Sequence, residues 1–211
     1  MSVSDYEEAP QTWGAWAPQE MVAERLDIDR HLLVVPIGGT VVDLGAGVAM
    51  SLCAHLYAQR PDLRIIPVDP GYDLPGVEHD LEVVRTEALK SFDDEARARL
   101  KASDAWYKES LAAYGEELPL GDLSTDLIAS HAAMPDYATD PELVVQECVR
   151  ILKMGGVAVN GPIHDWAFGP WLDLLELKKA NGEISELQHS KRELPTHGEW
   201  KATGFFTYIK K

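Results

Sequence analysis

The stretch Val41-Val42-Asp43-Leu44-Gly45-Ala46-Gly47 decides the fold of this chain. The β-branched and apolar run from Thr40 to Leu44 predicts a short, buried parallel strand. The glycines predict a turn that leads into a helix over 48–60, which Pro61 ends. A strand, a glycine-rich turn and a helix let the backbone approach a ligand, because a Cβ would block that approach. We therefore expect a binding site at this turn, formed by Asp43, Gly45, Ala46 and Gly47.

A second acid follows at the end of the next predicted strand, 63–68. Asp69 lies 22 positions beyond Gly47, and an acid at about 20 residues is typical of proteins that bind a nucleoside. An ionised carboxylate only accepts hydrogen bonds, which suits the two hydroxyls of a ribose. The alternative is that Asp69 merely opens an Asp-Pro-Gly turn. We assign Asp69 and its neighbour Pro70 to the expected site.

Strands and helices alternate through the rest of the chain. We predict strands at 125–130 and 157–159, and helices from Asp140 to Gly155-Gly156 and over 171–179. A last strand at 205–209 is expected to pair with one at 184–188. The pattern predicts one α/β domain over 1–211, Rossmann-like and doubly wound, with a mostly parallel sheet of about seven strands and an antiparallel C-terminal strand. Segment 1–16 is expected to be flexible, and a helical pattern over 91–114 is a possible insertion.

Four motifs resemble the class I S-adenosylmethionine-dependent methyltransferases. Asp43-Leu44-Gly45-Ala46-Gly47 resembles their motif I, and Asp69 lies where they keep a ribose-binding acid. Leu118 to Ile128 resembles the stretch that enters their fourth strand. Glu147-Cys148-Val149-Arg150-Ile151-Leu152-Lys153-Met154-Gly155-Gly156 is similar to the end of the helix before their fifth strand. The resemblance implies S-adenosylmethionine as the cofactor, held at the carboxyl edge of the sheet by the motif I glycines.

The resemblance also implies an acid that recognises adenine. Val83-Val84-Arg85-Thr86-Glu87-Ala88-Leu89 is similar to the family's third strand and gives Glu87 that role, with a short strand over 81–85. Alternatively the third strand is degenerate, and Glu116 is the nearest acid. Ala49 departs from the family pattern, which has its third glycine there.

The residues after the fourth predicted strand suggest the catalytic group. Ser130 is assigned to the cofactor site, and His131 follows where the methyl group should project. A neutral imidazole there can take a proton from a substrate hydroxyl or amine. The competing interpretation is a histidine packed at a strand end. His164 and Asp165 form a second possible acid–base pair at the same edge.

Composition limits the partners. The net charge of −16 opposes binding to phosphate backbones, so nucleic acid is not an expected substrate. No apolar run is long enough to span a membrane, and no cysteine–histidine spacing suggests a metal site. The N-terminus lacks the pattern of a secretory signal, and Cys53 and Cys148 are expected to be buried thiols, so we expect a cytoplasmic protein.

These observations predict methyl transfer from S-adenosylmethionine to a small molecule or a protein side chain. The alternative is a catalytically degenerate module that binds the cofactor or a protein partner without turnover. A nicotinamide-binding domain is a third hypothesis, which Met50 disfavours because the phosphate turn of such domains needs glycine there. The sequence does not indicate an oligomeric state.

Overall fold

A computed structural model describes residues 26–47, 50–73, 86, 89–131, 138–191 and 202–211. Within these ranges the chain forms one six-stranded sheet in the order β2-β1-β3-β4-β6-β5. The strands are β1 (Thr40–Leu44), β2 (Arg64–Val68), β3 (Thr125–His131), β4 (Leu152–His164), β5 (Ile184–Lys191) and β6 (Ala202–Lys210). This confirms the predicted α/β class, although the described sheet has six strands rather than about seven.

The strand directions agree with a mostly parallel sheet. Strands β1 to β4 pair in parallel, whereas β6 pairs antiparallel with both β4 and β5. The predicted pairing of the two C-terminal strands is therefore confirmed. The antiparallel strand lies between β4 and β5, not at the end of the sheet, because β5 continues the sheet beyond it.

Helices cover both faces of this sheet. They are α1 (Ile28–Leu32), α2 (Ser51–Gln59), α3 (Asp94–Lys101), α4 (Pro141–Ile151) and α5 (Asp165–Ala180). The first three bury their apolar side chains against one face, in a core that includes Leu127, Ala129 and Val159. Helices α4 and α5 cover the opposite face, which includes Ile128 and Ala158. This is the doubly wound arrangement that the alternating pattern predicts.

The start of α4 shows how local sequence sets an element. Asp140 accepts hydrogen bonds from the backbone N–H groups of Glu142 and Leu143 at 3.0 and 3.2 Å. Pro141 occupies the first helical position, where a missing N–H costs nothing. The apolar residues of α4 then pack on the sheet: Val144, Val145, Cys148, Val149 and Ile151. The predicted cap is confirmed.

The helix predicted over 91–114 is wrong in extent. Only Asp94–Lys101 is helical, and Asp93 rather than Ser91 caps it, accepting a hydrogen bond from the N–H of Ala96 at 2.8 Å. Ser103 follows the helix and binds the N–H of Ala105 with its hydroxyl, which gives the backbone an alternative to the helix. Leu100, on the helix, joins the core against α2.

The chain after α3 returns to the sheet. Trp106 is only 1% exposed, and Leu111 forms an isolated parallel bridge with Val68 at the outer side of β2. The N–H of Leu111 donates to the carbonyl of Pro67 at 2.9 Å, and the N–H of Asp69 donates to the carbonyl of Leu111 at 3.1 Å. This segment is therefore part of the core, and we expect its deletion to unfold the protein.

Other boundaries also differ from the sequence prediction. Helix α2 begins at Ser51, after Met50 in a left-handed conformation (φ 46°). Helix α4 ends at Ile151 instead of Gly155-Gly156, because Leu152 already pairs with Thr125 in the sheet. Helix α5 begins at Asp165, six residues before the predicted start.

Some predictions lie outside the residues that the structure describes. They are the N-terminal segment 1–16, the strand over 81–85, Glu87 and Ala49. Among the described residues, no helix is long and apolar enough to cross a bilayer. The same part of the chain contains no group of three or more His, Cys, Asp or Glu residues placed to hold a metal ion.

Candidate functional site

The glycine turn after β1 is fixed to the end of β2. Gly45 and Gly47 have positive φ angles of 77° and 60°, which side chains rarely allow. The N–H groups of Gly45 and Ala46 donate to the carbonyl of Val68 at 2.8 and 3.1 Å. The glycine turn therefore packs against the carboxyl end of β2, directly before Asp69.

Asp69 joins two loops with its carboxylate. Its Oδ2 accepts a hydrogen bond from the N–H of Gly47 at 3.0 Å, and its Oδ1 accepts one from the N–H of Gly71 at 2.8 Å. Burial raises the pKa of Asp69, while these two backbone hydrogen bonds oppose the rise. Each oxygen keeps acceptor capacity beyond one bond, so the group can still bind a diol. Pro70 starts a short 3₁₀ helix, Pro70–Asp73, beside it.

Asp43 is the second acid of this site. It is 2% exposed, and the thiol of Cys53 on α2 donates a hydrogen bond to its Oδ2 at 3.2 Å. Burial raises the pKa of Asp43 to about 7, and the negative charge of Asp69 raises it further, whereas the Cys53 hydrogen bond lowers it. Asp69 is therefore close enough to Asp43 for its charge to affect the ionisation of Asp43.

The charge of this site favours a cationic ligand. Within the described ranges, no ion pair joins Lys, Arg or His to Asp43 or Asp69. Two neighbouring acids without a counter-ion disfavour their own ionised forms, which a positively charged ligand reverses. The residues present therefore fit S-adenosylmethionine, whose sulfonium and ammonium groups are positive and whose ribose offers two hydroxyls.

Ser130 and His131 end the neighbouring strand. Asp43 pairs with Ala129 in the β1–β3 register, so both residues lie just beyond the level of Asp43. Ser130 is fully buried, and strand alternation puts its side chain on the face of Ile128, under α4 and α5. His131 is half-buried, alternates to the opposite face and pairs with Gly161. His164 and Asp165 form the junction between β4 and α5.

Glu116 has a structural role in this fold. Its Oε1 accepts hydrogen bonds from the N–H groups of Thr139 and Asp140 at 2.7 and 3.2 Å, just before α4. These bonds attach the segment before β3 to the start of α4. Glu116 is therefore engaged away from the glycine turn, which weakens the alternative that it recognises adenine.

The motif that ends α4 stabilises the fold. Arg150 donates to the carbonyls of Leu118 and Leu120 at 3.0 and 2.8 Å and pairs with Asp122 and Glu147, each at 2.7 Å. Glu147 also accepts a hydrogen bond from the N–H of Leu118 at 3.0 Å. The carboxyl group of Glu147 has a lowered pKa because of Arg150. This network holds the turn that leads into β3.

Lys153 extends the same support to β1. Its Nζ lies 2.7 Å from Oδ2 of Asp126, and that oxygen also accepts a hydrogen bond from the N–H of Thr40 at 2.8 Å. The motif at the end of α4 that resembles the methyltransferases therefore contains a residue, Lys153, that helps to align β1, β3 and β4.

Sequence reasoning missed two contacts at the site. Cys53 was expected to be a plain buried thiol, and nothing in the sequence indicates its bond to Asp43, because the contact depends on the helix orientation. The hydroxyl of Tyr72 donates to the carbonyl of Gly47 at 2.9 Å. The position of Tyr72 directly after Asp69-Pro70-Gly71 was the sequence signal that could have indicated this contact.

Comparisons with known proteins agree with this architecture. A family model described as "Methyltransferase domain" matches residues 72–160, less than half of the chain and beyond the glycine turn. A search of curated protein sequences finds no match.

Solved structures resemble the whole chain. One belongs to the complex between the Haloferax volcanii Trm112 methyltransferase activator and a protein described as a methyltransferase. It is 19% identical, with a TM-score of 0.57, over 96% of this chain and 97% of that chain. An S-adenosylmethionine-dependent methyltransferase from Thermotoga maritima is 18% identical, with a TM-score of 0.53, over 99% and 95% of the two chains.

A protein from Methanococcus maripaludis described as a methyltransferase of the same kind is 18% identical. Its TM-score is 0.55, and the match covers 99% of this chain and 91% of that one. At this identity the structures establish the fold. The chain has the fold of S-adenosylmethionine-dependent methyltransferases, and its residues 72–160 match the model of a methyltransferase domain.

Proposed function

We propose that this protein binds S-adenosylmethionine at the glycine turn and transfers its methyl group to a small molecule or a protein side chain. The observation that carries the proposal is the pair Asp43 and Asp69, two neighbouring acids at the glycine turn with no basic partner among the described residues; Asp69 binds the N–H of Gly47, and its charge raises the pKa of Asp43. The net charge of −16 disfavours nucleic acid as the acceptor.

Each residue has a defined task in this proposal. Asp69 accepts the ribose hydroxyls, and the ionised form of Asp43 offsets the positive charge of the ligand. Gly45 and Gly47 let the backbone approach it closely. The bound cofactor supplies an electrophilic methyl group on a positively charged sulfur, which keeps the electron pair of the breaking bond. Tyr72 holds the turn through the carbonyl of Gly47.

His131 is the proposed general base. It ends β3 at the carboxyl edge of the sheet, just beyond the level of Asp43. An unprotonated ring nitrogen of His131 takes the proton of the acceptor hydroxyl or amine as the acceptor's lone pair bonds to the methyl carbon. We expect His131→Asn to lower kcat roughly 100-fold, the usual contribution of a general base. Its affinity for S-adenosylhomocysteine should not change, whereas unaltered turnover would assign His131 to packing.

Calorimetric titration tests the cofactor assignment. The wild-type protein should bind S-adenosylmethionine and S-adenosylhomocysteine but not NAD. Hydrogen bonds to a charged group contribute about 1.5–3 kcal/mol, so Asp69→Ala should weaken binding roughly 10- to 150-fold. Asp73→Ala is the matched control, because Asp73 is exposed at the end of the same 3₁₀ helix.

Three outcomes separate the hypotheses. Binding of NAD alone would indicate a nicotinamide protein. Binding of no ligand by the folded wild-type protein would favour a degenerate module. If S-adenosylmethionine binds tightly and Asp69→Ala does not weaken it, the cofactor assignment stands, and the assignment of Asp69 to the ribose is wrong.

A further inference from the structure

A cavity of about 170 Å³ lies between α1 and the sheet, separate from the glycine turn. Helix α1 and the residues before it form one wall, and strands β4, β5 and β6 form the other. The described residues that line it are Leu26, Asp27, Arg30, His31, Val159, Gln188, His189, Ser190, Phe205 and Thr207. None of the residues proposed above to hold the cofactor lines it.

The cavity floor continues a row of residues that crosses four strands. Ala129 pairs with Val159, Val159 with Thr207, and Thr207 with Gln188. Ala129 and Val159 belong to the core on the α1 face. His131 lies two residues beyond Ala129 on the same strand, so its side chain shares that face. The cavity therefore opens on the face that carries the proposed base.

Phe205 connects the cavity to the strand end. It lines the cavity and pairs with Ser190 across β5. A Cβ placed on Gly161 would lie 2.3 Å from the ring of Phe205, so this ring covers Gly161. Gly161 is the register partner of His131. An aromatic surface thus runs from the cavity to the residue beside His131.

The polar lining combines the donor-only guanidinium of Arg30 with amide and hydroxyl groups that both donate and accept hydrogen bonds. Among the described residues, the side chains of Gln188, Ser190 and Thr207 have no hydrogen-bond partner, so their polar groups are available to a ligand. Arg30 lies 3.8 Å from Asp27, a contact too long for a hydrogen bond, and most of the five N–H donors of its guanidinium stay available.

We propose that this cavity binds the methyl acceptor, and that the acceptor is a small organic acid. Its carboxylate contacts Arg30 and the hydroxyl of Thr207, and its apolar body lies on Val159 and Phe205. Its hydroxyl or amine points along Phe205 towards His131. The acceptor role rests on the proposed methyl transfer, whereas binding of the acid does not require it.

The size of the cavity suits an acid of about one ring. A dry protein cavity of about 150 Å³ accommodates benzene, so 170 Å³ suits a single ring or a short aliphatic chain. The lining fits a carboxylate better than an amine, because Asp27 is the one acidic side chain among the described residues that line the cavity, and it already lies beside Arg30. Arginine binds carboxylates through two parallel N–H groups, which gives the site its selectivity.

Ligand-observed NMR on the full-length chain tests the proposal with matched acid and amide probes. The probes are benzoate and benzamide, 4-hydroxybenzoate and 4-hydroxybenzamide, and butyrate and butyramide. We expect the acids to bind in the millimolar range or tighter, and the amides to bind roughly 10-fold more weakly because they lack the charge.

Variants locate the bound acid. Arg30→Gln should weaken acid binding roughly 10-fold and remove the preference for acids over amides. Thr207→Val keeps the shape and should weaken binding several-fold. Arg64→Gln is the matched control, since Arg64 is an exposed arginine on β2 that pairs with Glu109, and it should not change binding. Because Arg30 is an exposed side chain, its variant should remain folded.

The remaining outcomes decide between binding and turnover. The site is overturned if no acid binds, if amides bind as well as acids, or if Arg30→Gln binds the acids as the wild type does. Titration of the same samples with S-adenosylhomocysteine reports the cofactor site, and Arg30→Gln should leave that affinity unchanged. Acid binding without S-adenosylhomocysteine binding would overturn the acceptor role and the proposed function while keeping the acid site.

Discussion

The ionisation of Asp43 offers the sharpest test of the site electrostatics. Burial raises its pKa from 3.8 to about 7, with a further contribution from Asp69. In the unfolded chain the same group titrates near 3.9. The folded protein therefore binds more protons than the unfolded chain between these values, so the stability that protonated Asp43 permits is lost as the pH rises through about 7.

The size of this effect follows from the two pKa values. A shift of about three units corresponds to about 4 kcal/mol over the full titration, at about 1.4 kcal/mol per unit. Between about pH 5.5 and about pH 8, linkage gives a loss of about 2 kcal/mol in the free energy of unfolding. Asp43→Asn removes the charge and keeps an oxygen for the Cys53 thiol, so its stability should lack this component.

Urea unfolding of the wild type and Asp43→Asn across this pH range measures the difference directly. Titrating groups that do not interact with Asp43 contribute equally to both proteins and cancel. The free energy of unfolding of the wild type should fall relative to that of the variant as the pH rises. Parallel curves would refute the reasoning, because they would show that Asp43 ionises as freely in the fold as in the unfolded chain.

Ligand binding should show the opposite trend with pH. A cation binds best to ionised Asp43, so the affinity of the wild type for S-adenosylmethionine should rise about 10-fold from about pH 6 to about pH 8. The variant should lose this rise. Titration of the ligand's own amine is common to both proteins and cancels in the comparison.

Three further predictions concern single contacts. Cys53→Ala removes the donor to Asp43 and should move the pH transition of the cofactor affinity upward, whereas Cys53→Ser should restore it. Gly204→Ala places a Cβ 1.9 Å from the ring of Phe168 and should lower the free energy of unfolding in urea by about 1–3 kcal/mol. The control is Gly169→Ala, whose Cβ meets nothing within 4 Å and should leave the stability unchanged or raise it. Arg150→Gln should lower the free energy of unfolding by about 2 kcal/mol in the same assay, because it removes charge-assisted hydrogen bonds to the turn before β3. A loss below about 0.5 kcal/mol, which is typical of an exposed ion pair, would show that the network does not stabilise the fold.

The sequence predicted the central part of the fold well. Strand β1 was placed correctly because its β-branched run is short and is followed by two glycines. The α4 cap was recognised from Asp140-Pro141, a combination with few other uses. These signals are local, so they survive without knowledge of the tertiary contacts.

The segment after α3 was predicted poorly for a tertiary reason. Its apolar residues have helical spacing, but the buried Trp106 and the partly buried Leu111 contact separate elements instead of sharing one helix face. Periodicity cannot distinguish these arrangements, since both place apolar residues at similar intervals. The sequence did not predict the contact of Cys53 with Asp43 for the same reason: the two residues lie on a helix and a strand whose relative placement the sequence does not indicate.

Under the proposed function, charge lets this turn distinguish S-adenosylmethionine from a dinucleotide. Folds with a glycine turn after the first strand also bind NAD, whose pyrophosphate is negative. Here the charge of Asp69 already lowers the tendency of Asp43 to ionise. A positive charge beside an ionised acid makes binding more favourable and a negative charge makes it less favourable, by an amount that falls with distance and with the effective dielectric constant. The sign is favourable for a sulfonium and unfavourable for a pyrophosphate, so the same two residues support one ligand and oppose the other.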